Sequence, residues 1–151
     1  MRPDKDRYYL DIAFEVAQRG TCLRRNYGAV IVKDDQIVGT GYCGAPRGVP
    51  NCIDIGVCKR KELNIPAGER YELCRSVHGE ANAIIHAGRD KCIGSTIYVA
   101  GFVVHDMESG VDAHPCKMCS RMIINAGIEK IVYADNWRIR IKSAEKLKEE
   151  M

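Results

Sequence analysis

The chain has 151 residues, 46% of them hydrophobic and 28% charged, with a formal net charge of +3. That balance fits one globular domain, residues 1–151, with a core of its own, and excludes a fibrous or disordered chain. A charge this small argues against a broad nucleic-acid-binding face, and no apolar run reaches the roughly 20 residues that a membrane-spanning helix needs.

In chain order, the segment from Met1 to Arg7 is too charged for a secretory signal, so a cytoplasmic protein is the expectation. From about Pro3 to Gln18 the spacing of Tyr9, Ile12, Ala13 and Val16 predicts a helix, closed by Gly20. Ala29–Val32 and Gln36–Gly39 flank Asp34-Asp35 and predict a hairpin. Gly41 to about Cys74 is irregular, broken by Pro46, Pro50 and Pro66; a loop of this length in a compact domain carries function or is held by something other than a core.

A helix is predicted over Glu80–Arg89, with Ala83, Ile84 and Ala87 on one face. Thr96–Ala100 reads as a buried strand, Lys117–Asn125 as a helix that stops at Gly127, and Lys130–Ala134 as a further strand. The tail from about Ile139 is charged and helix-prone. Alternating strands and helices in the second half predict the α/β class, a sheet with helices on both faces.

Eight cysteines without a secretory signal point to metal rather than to disulfides. The decisive pattern is His78-Gly79-Glu80, then Pro115-Cys116-Lys117-Met118-Cys119. His78, Cys116 and Cys119 offer three zinc ligands, and a catalytic zinc keeps three protein ligands with a place for water. Glu80 stands next to a ligand without needing to be one, which suits a proton carrier. H-x-E followed by P-C-x-x-C is the signature of zinc nucleobase deaminases. A lone Cys-x-x-Cys is equally a redox pair or half a structural site; the two motifs together, each before a predicted helix, are much harder to obtain by chance.

With these residues the chain resembles the cytidine and deoxycytidylate deaminase superfamily, and most of all its deoxycytidylate (dCMP) branch. The resemblance also rests on Gly28–Val32, Gly39-Thr40-Gly41-Tyr42, Asn51-Cys52, Asn82-Ala83-Ile84 and Asn125–Ile128. It implies a three-layer α/β/α fold with a mixed sheet of about five strands. The activity it implies is zinc-dependent hydrolysis of dCMP to dUMP and ammonia, with Glu80 moving the protons. It also implies phosphate binding by Trp137-Arg138 and by Arg24, and a role for Asn82 at the sugar or in ordering the pocket. A second, structural zinc on cysteines matching Cys22 and Cys52 is a further implication; with Cys58 and Cys74 four thiolates would close a tetrahedral shell, the alternative being four buried reduced cysteines. So is a homo-oligomer, often a hexamer, with dCTP and dTTP as effectors in some members.

The chain departs from the family pattern at two places in the pocket. Gly79 stands where alanine is usual, and Cys43 stands where an asparagine normally helps recognise the nucleoside. Residues 101–112 form an extension that either reshapes the pocket mouth or adds a surface hairpin. Competing readings are a deaminase of tRNA adenosine, which would need a basic surface, a free-nucleoside deaminase, and a zinc-stabilised binding protein without turnover, which would need neither Glu80 nor an open ligand position.

Overall fold

A computed structural model describes residues 1–151. Five strands form one mixed sheet in the order β2-β1-β3-β4-β5: β1 (Arg25–Lys33), β2 (Gln36–Tyr42), β3 (Thr96–Val103), β4 (Lys130–Asp135) and β5 (Arg138–Ser143). Only β3 and β4 run parallel; β1 is antiparallel to both β2 and β3, and β5 to β4.

Strand alternation builds a core on each face. Val30, Val32, Tyr98, Ala100, Val132 and Ala134 turn towards α1 (Lys5–Ala17), which contributes Tyr9, Leu10 and Ala13. Ala29, Ile31, Ile97, Val99 and Ile131 turn the other way. There they meet α4 (Gly79–Ala87), α5 (Arg89–Cys92), α6 (Lys117–Ala126) and α7 (Ala144–Glu149). The expected α/β/α layering is what the chain adopts. Short helices α2 (Cys52–Ile55) and α3 (Lys59–Glu62) and a 3-10 turn at Tyr71–Leu73 punctuate the long connection between β2 and α4.

Local chemistry accounts for the element ends. Asp34 and Asp35 both take positive φ, the backbone of a tight turn whose twist matches the strands it joins. Gly127 caps α6 in the left-handed region, as the sequence leads one to expect.

The charged tail is a correction. Arg138–Ser143 is an edge strand, and the helix starts only at Ala144. Arg and Lys favour helix locally, but Ile139 and Ile141 alternate with period two, and pairing to β4 through a turn at Asn136-Trp137 overrides propensity. Within the extension, β3 runs on to Val103, and a bridge from Asp112 to Asp135 returns the chain to β4.

Candidate metal centre and active site

Two helix starts meet at one end of the sheet. His78 is the N-cap residue of α4, and Cys116 is the N-cap of α6, its sulfur accepting from the backbone N–H of Cys119 at 3.4 Å. Unpaired N–H groups and the helix dipole there favour thiolate. Several contacts fix α4 against β2. Gly44 and Val77 exchange backbone hydrogen bonds just before His78, and the Asn82 amide donates to Tyr42 O at 2.8 Å and to Val77 O at 3.4 Å. His86, on the same helix, accepts from Thr40 N–H at 3.1 Å. On the other side, His114 accepts from Lys142 Nζ at 2.9 Å and packs on the Tyr133 ring, which holds the segment that enters Pro115-Cys116.

Ligand atoms of His78, Cys116 and Cys119 all lie within 4.8 Å of one another, the single such convergence in the chain. Nδ1 of His78 stands 3.6 Å from Cys116 Sγ and 3.4 Å from Cys119 Sγ. Tetrahedral zinc at ordinary bond lengths sets nitrogen and sulfur about 3.5 Å apart, so the three residues fit a zinc ion. Their proton affinities also describe a cradle for positive charge. Burial opposes the charged form of His78, but hydrogen bonds to Cys116 and Cys74 and the nearby Glu80 carboxylate raise the ring to about 10. The hydrogen bond from Cys119 holds Cys116 well below the ordinary thiol range, while Cys119 keeps its proton. A metal ion bound here would take the place of those protons.

Glu80 is 6% exposed, and burial raises its pKa against the opposing charge of His78. It opens onto a cavity of about 940 Å³ shared with His78, Cys116, Tyr27 and Cys43. That size suits a small molecule. Six lysines and arginines, Arg24, Arg25, Arg60, Arg70, Lys117 and Arg121, line it against four acids, Glu72, Glu80, Asp112 and Glu150.

The other predicted residues are placed as follows. Arg24 lines the cavity. Asn82 spends its amide on β2 and on the chain before His78. Trp137 and Arg138 are not among the lining residues: the indole donates to Glu108 O at 2.9 Å and packs on Phe14, while Arg138 stands opposite Asp135 in the β4–β5 ladder, and the backbone of Asp135 also bridges Asp112 on the cavity wall. Cys22, Cys58 and Cys74 face the cavity, and all three lie close enough to buried Cys52 to raise its thiol further, after burial itself. These four share a neighbourhood without the tight convergence of the first three. Cys43 is buried, directed at Tyr27 O at 3.7 Å, and stands outside the converging group. The extension contributes Asp112 to the wall.

Sequence reasoning passed over Tyr27, Arg60, Tyr71 and His114, all of which line the cavity. Of these, only His114 carried a signal, its place directly before the zinc motif.

Comparison with known proteins agrees with this geometry. Residues 3–135 match the model of the cytidine and deoxycytidylate deaminase zinc-binding region. The chain belongs to that family. It is 40% identical to the deoxycytidylate deaminase of Mycobacterium phage D29, covering 87% of this chain and 95% of the relative. It is 35% identical to that of Saccharomyces cerevisiae over 98% of this chain but 43% of the yeast protein, so it spans less than half of that relative. Among solved structures, the dCMP deaminase of cyanophage S-TIM5 in complex with dCMP and dUMP superposes with a TM-score of 0.59 at 25% identity, covering 89% of this chain and 84% of that one.

Proposed function

We propose that the chain hydrolyses dCMP to dUMP and ammonia. The observation that carries this reading is a three-ligand metal site with a buried, non-ligating carboxylate opening on a cation-lined cavity. A purely structural zinc site closes its shell with four protein ligands and needs no such carboxylate. Relatives bearing the deoxycytidylate deaminase name support the choice of substrate.

When bound, zinc supplies a water of lowered pKa. His78, Cys116 and Cys119 would hold the ion, carried on the starts of α4 and α6 beside the cavity. Glu80 carries the protons. A carboxyl whose pKa is raised by burial can take a proton, deliver it to ring N3 of cytosine, and later help the amino group leave from C4. One water is consumed, the C4–N bond breaks, and a C4 carbonyl forms.

Arg24 is assigned to the phosphate, since a cation on the cavity wall suits a monophosphate. Arg138 and Trp137, outside the cavity lining, keep their phosphate role on the family resemblance alone, and Asn82 orders the pocket through Tyr42 O. The four cysteines 22, 52, 58 and 74 would hold a second zinc, clipping the β2–α4 connection to the body. The reading extends to a homo-oligomer with dCTP and dTTP as effectors.

Ammonia release is measured with zinc-loaded protein on dCMP, CMP, deoxycytidine, cytidine and dCTP, with Glu80→Gln as control. Turnover of dCMP alone, lost in the control, is expected. Equal turnover of unphosphorylated nucleosides would sink the roles of Arg24 and Arg138. Metal analysis of the same protein should give two zinc ions per chain; one ion would remove the four-cysteine site.

A further inference from the structure

The segment over the metal centre is organised around a buried arginine that has no carboxylate partner. Arg60, on α3, is 6% exposed and takes part in no ion pair. Burying an unpaired guanidinium is costly unless its donors are satisfied. Here they meet the backbone. Nε donates to Glu69 O at 3.2 Å, and Nη2 donates to Pro66 O at 2.7 Å and to Glu69 O at 2.8 Å. The remaining face lies over the Tyr71 ring, with Cζ 4.6 Å from its centroid. Tyr71 in turn packs on the imidazole of His78, ring centroids 5.1 Å apart at 76°.

Arg60, Tyr71 and His78 therefore form a stack that ends on a metal ligand. The fork of the guanidinium gathers the two carbonyls that flank the turn at 67–68 and so fixes where Tyr71 emerges. The tyrosine ring closes one side of the space in which the imidazole can rotate. On its other side, Nδ1 faces Cys116 and Cys119. An imidazole whose plane is fixed before the ion arrives loses less freedom on binding it, and partners of this kind commonly change metal affinity by about 10–100-fold.

We propose that Arg60 and Tyr71 are positioning residues that hold His78 in its metal-binding orientation, reaching the ion only through that ring. The proposal rests on His78 being a zinc ligand and is independent of which nucleotide is the substrate.

The test is zinc affinity, measured by competition with a chromogenic chelator, together with the visible spectrum of the cobalt-substituted protein. Tyr71→Phe keeps the ring and should behave as the parent. Tyr71→Ala should bind zinc at least 10-fold more weakly and shift the cobalt bands, with far-ultraviolet dichroism of the loaded protein unchanged. Arg60→Met should do the same, Arg60→Lys should recover part of the affinity, and the double variant should lose less than the product of the single losses. If Arg60→Met fails to fold, Tyr71→Ala and Tyr71→Leu decide alone. Parental zinc affinity and cobalt spectrum in Tyr71→Ala would overturn the proposal, even with KM for dCMP raised, because the segment would then be only a substrate wall. Absence of dCMP turnover in the zinc-loaded parent would instead overturn the assigned reaction and leave this result standing.

Discussion

Gly79 has a geometric reason that composition could not supply. A Cβ there would sit 2.9 Å from Tyr27 O and 3.1 Å from Gly41 O, both backbone atoms that cannot swing away. The helix start that carries His78 and Glu80 lies tight against β1 and β2, and alanine would push it off. Gly79→Ala is expected to cost about 1–3 kcal/mol, the usual penalty of overpacking, and to weaken zinc binding because a ligand is the adjacent residue. Urea unfolding of the zinc-loaded protein measures the first effect and chelator competition the second; unchanged values would mean that the strands give way freely. Cys43 offers a contrast. Burial pushes its thiol up to about 12, and its sulfur lies against Tyr27 O rather than in the converging trio. Cys43→Ala should therefore leave zinc content unchanged by elemental analysis while altering KM, since the side chain forms part of the cavity wall.

At the scale of elements, α1 is tied to the hairpin by polar contacts at its outer edge. The buried ring of Tyr9 places its hydroxyl on Asp35 Oδ1 at 2.6 Å, Lys5 pairs with the same carboxylate, and the Tyr98 hydroxyl donates to Asp6 at 3.1 Å. The hydrogen bond to Asp35 raises Tyr9 to about 12, and burial raises Tyr98 as well. Both groups are neutral when protonated, so the folded chain holds these protons more tightly than the unfolded one. The contribution of Tyr9 is complete below the ordinary tyrosine range near 10 and is lost as pH rises through about 12, and that of Tyr98 is lost in the same direction. Melting temperature followed from pH 8 to 12 should fall less steeply in Tyr9→Phe than in the parent; parallel curves would show that Tyr9 does not report on this attachment. The hairpin, α4, α6 and both central strands were legible because each repeats its apolar residues at its own period between clear stop signals. β5 was not, since Arg138, Arg140 and Lys142 mask the alternation of two isoleucines, and only the register against β4 reveals it. His78, Glu80, Cys116 and Cys119 stood out as a spaced motif. Arg60 and Tyr71 did not, because what unites them with His78 is the path of an irregular connection that no period encodes.

For the whole molecule, the metal centre joins two parts that the sheet supports separately. One ligand comes from α4, which rests on β2 and β1; two come from α6, inside the crossover between parallel β3 and β4. Without the ion, three groups that seek positive charge would face each other across this seam, held by hydrogen bonds among themselves. A ligand that binds only the folded chain stabilises it by mass action, about 4 kcal/mol when free zinc exceeds its dissociation constant a thousandfold. Chelation should accordingly lower the melting temperature, and His78→Ala should lack most of the zinc-dependent increment. The change should also be local. Amide exchange should accelerate at residues 76–82 and 114–120, where the helix starts depend on the cross-link, while the buried centres of β1, β3 and β4 keep their protection because their ladders and both apolar layers survive. Uniform acceleration across the sheet would mean that zinc holds the whole core together, and that the two halves of the fold do not stand by their own packing.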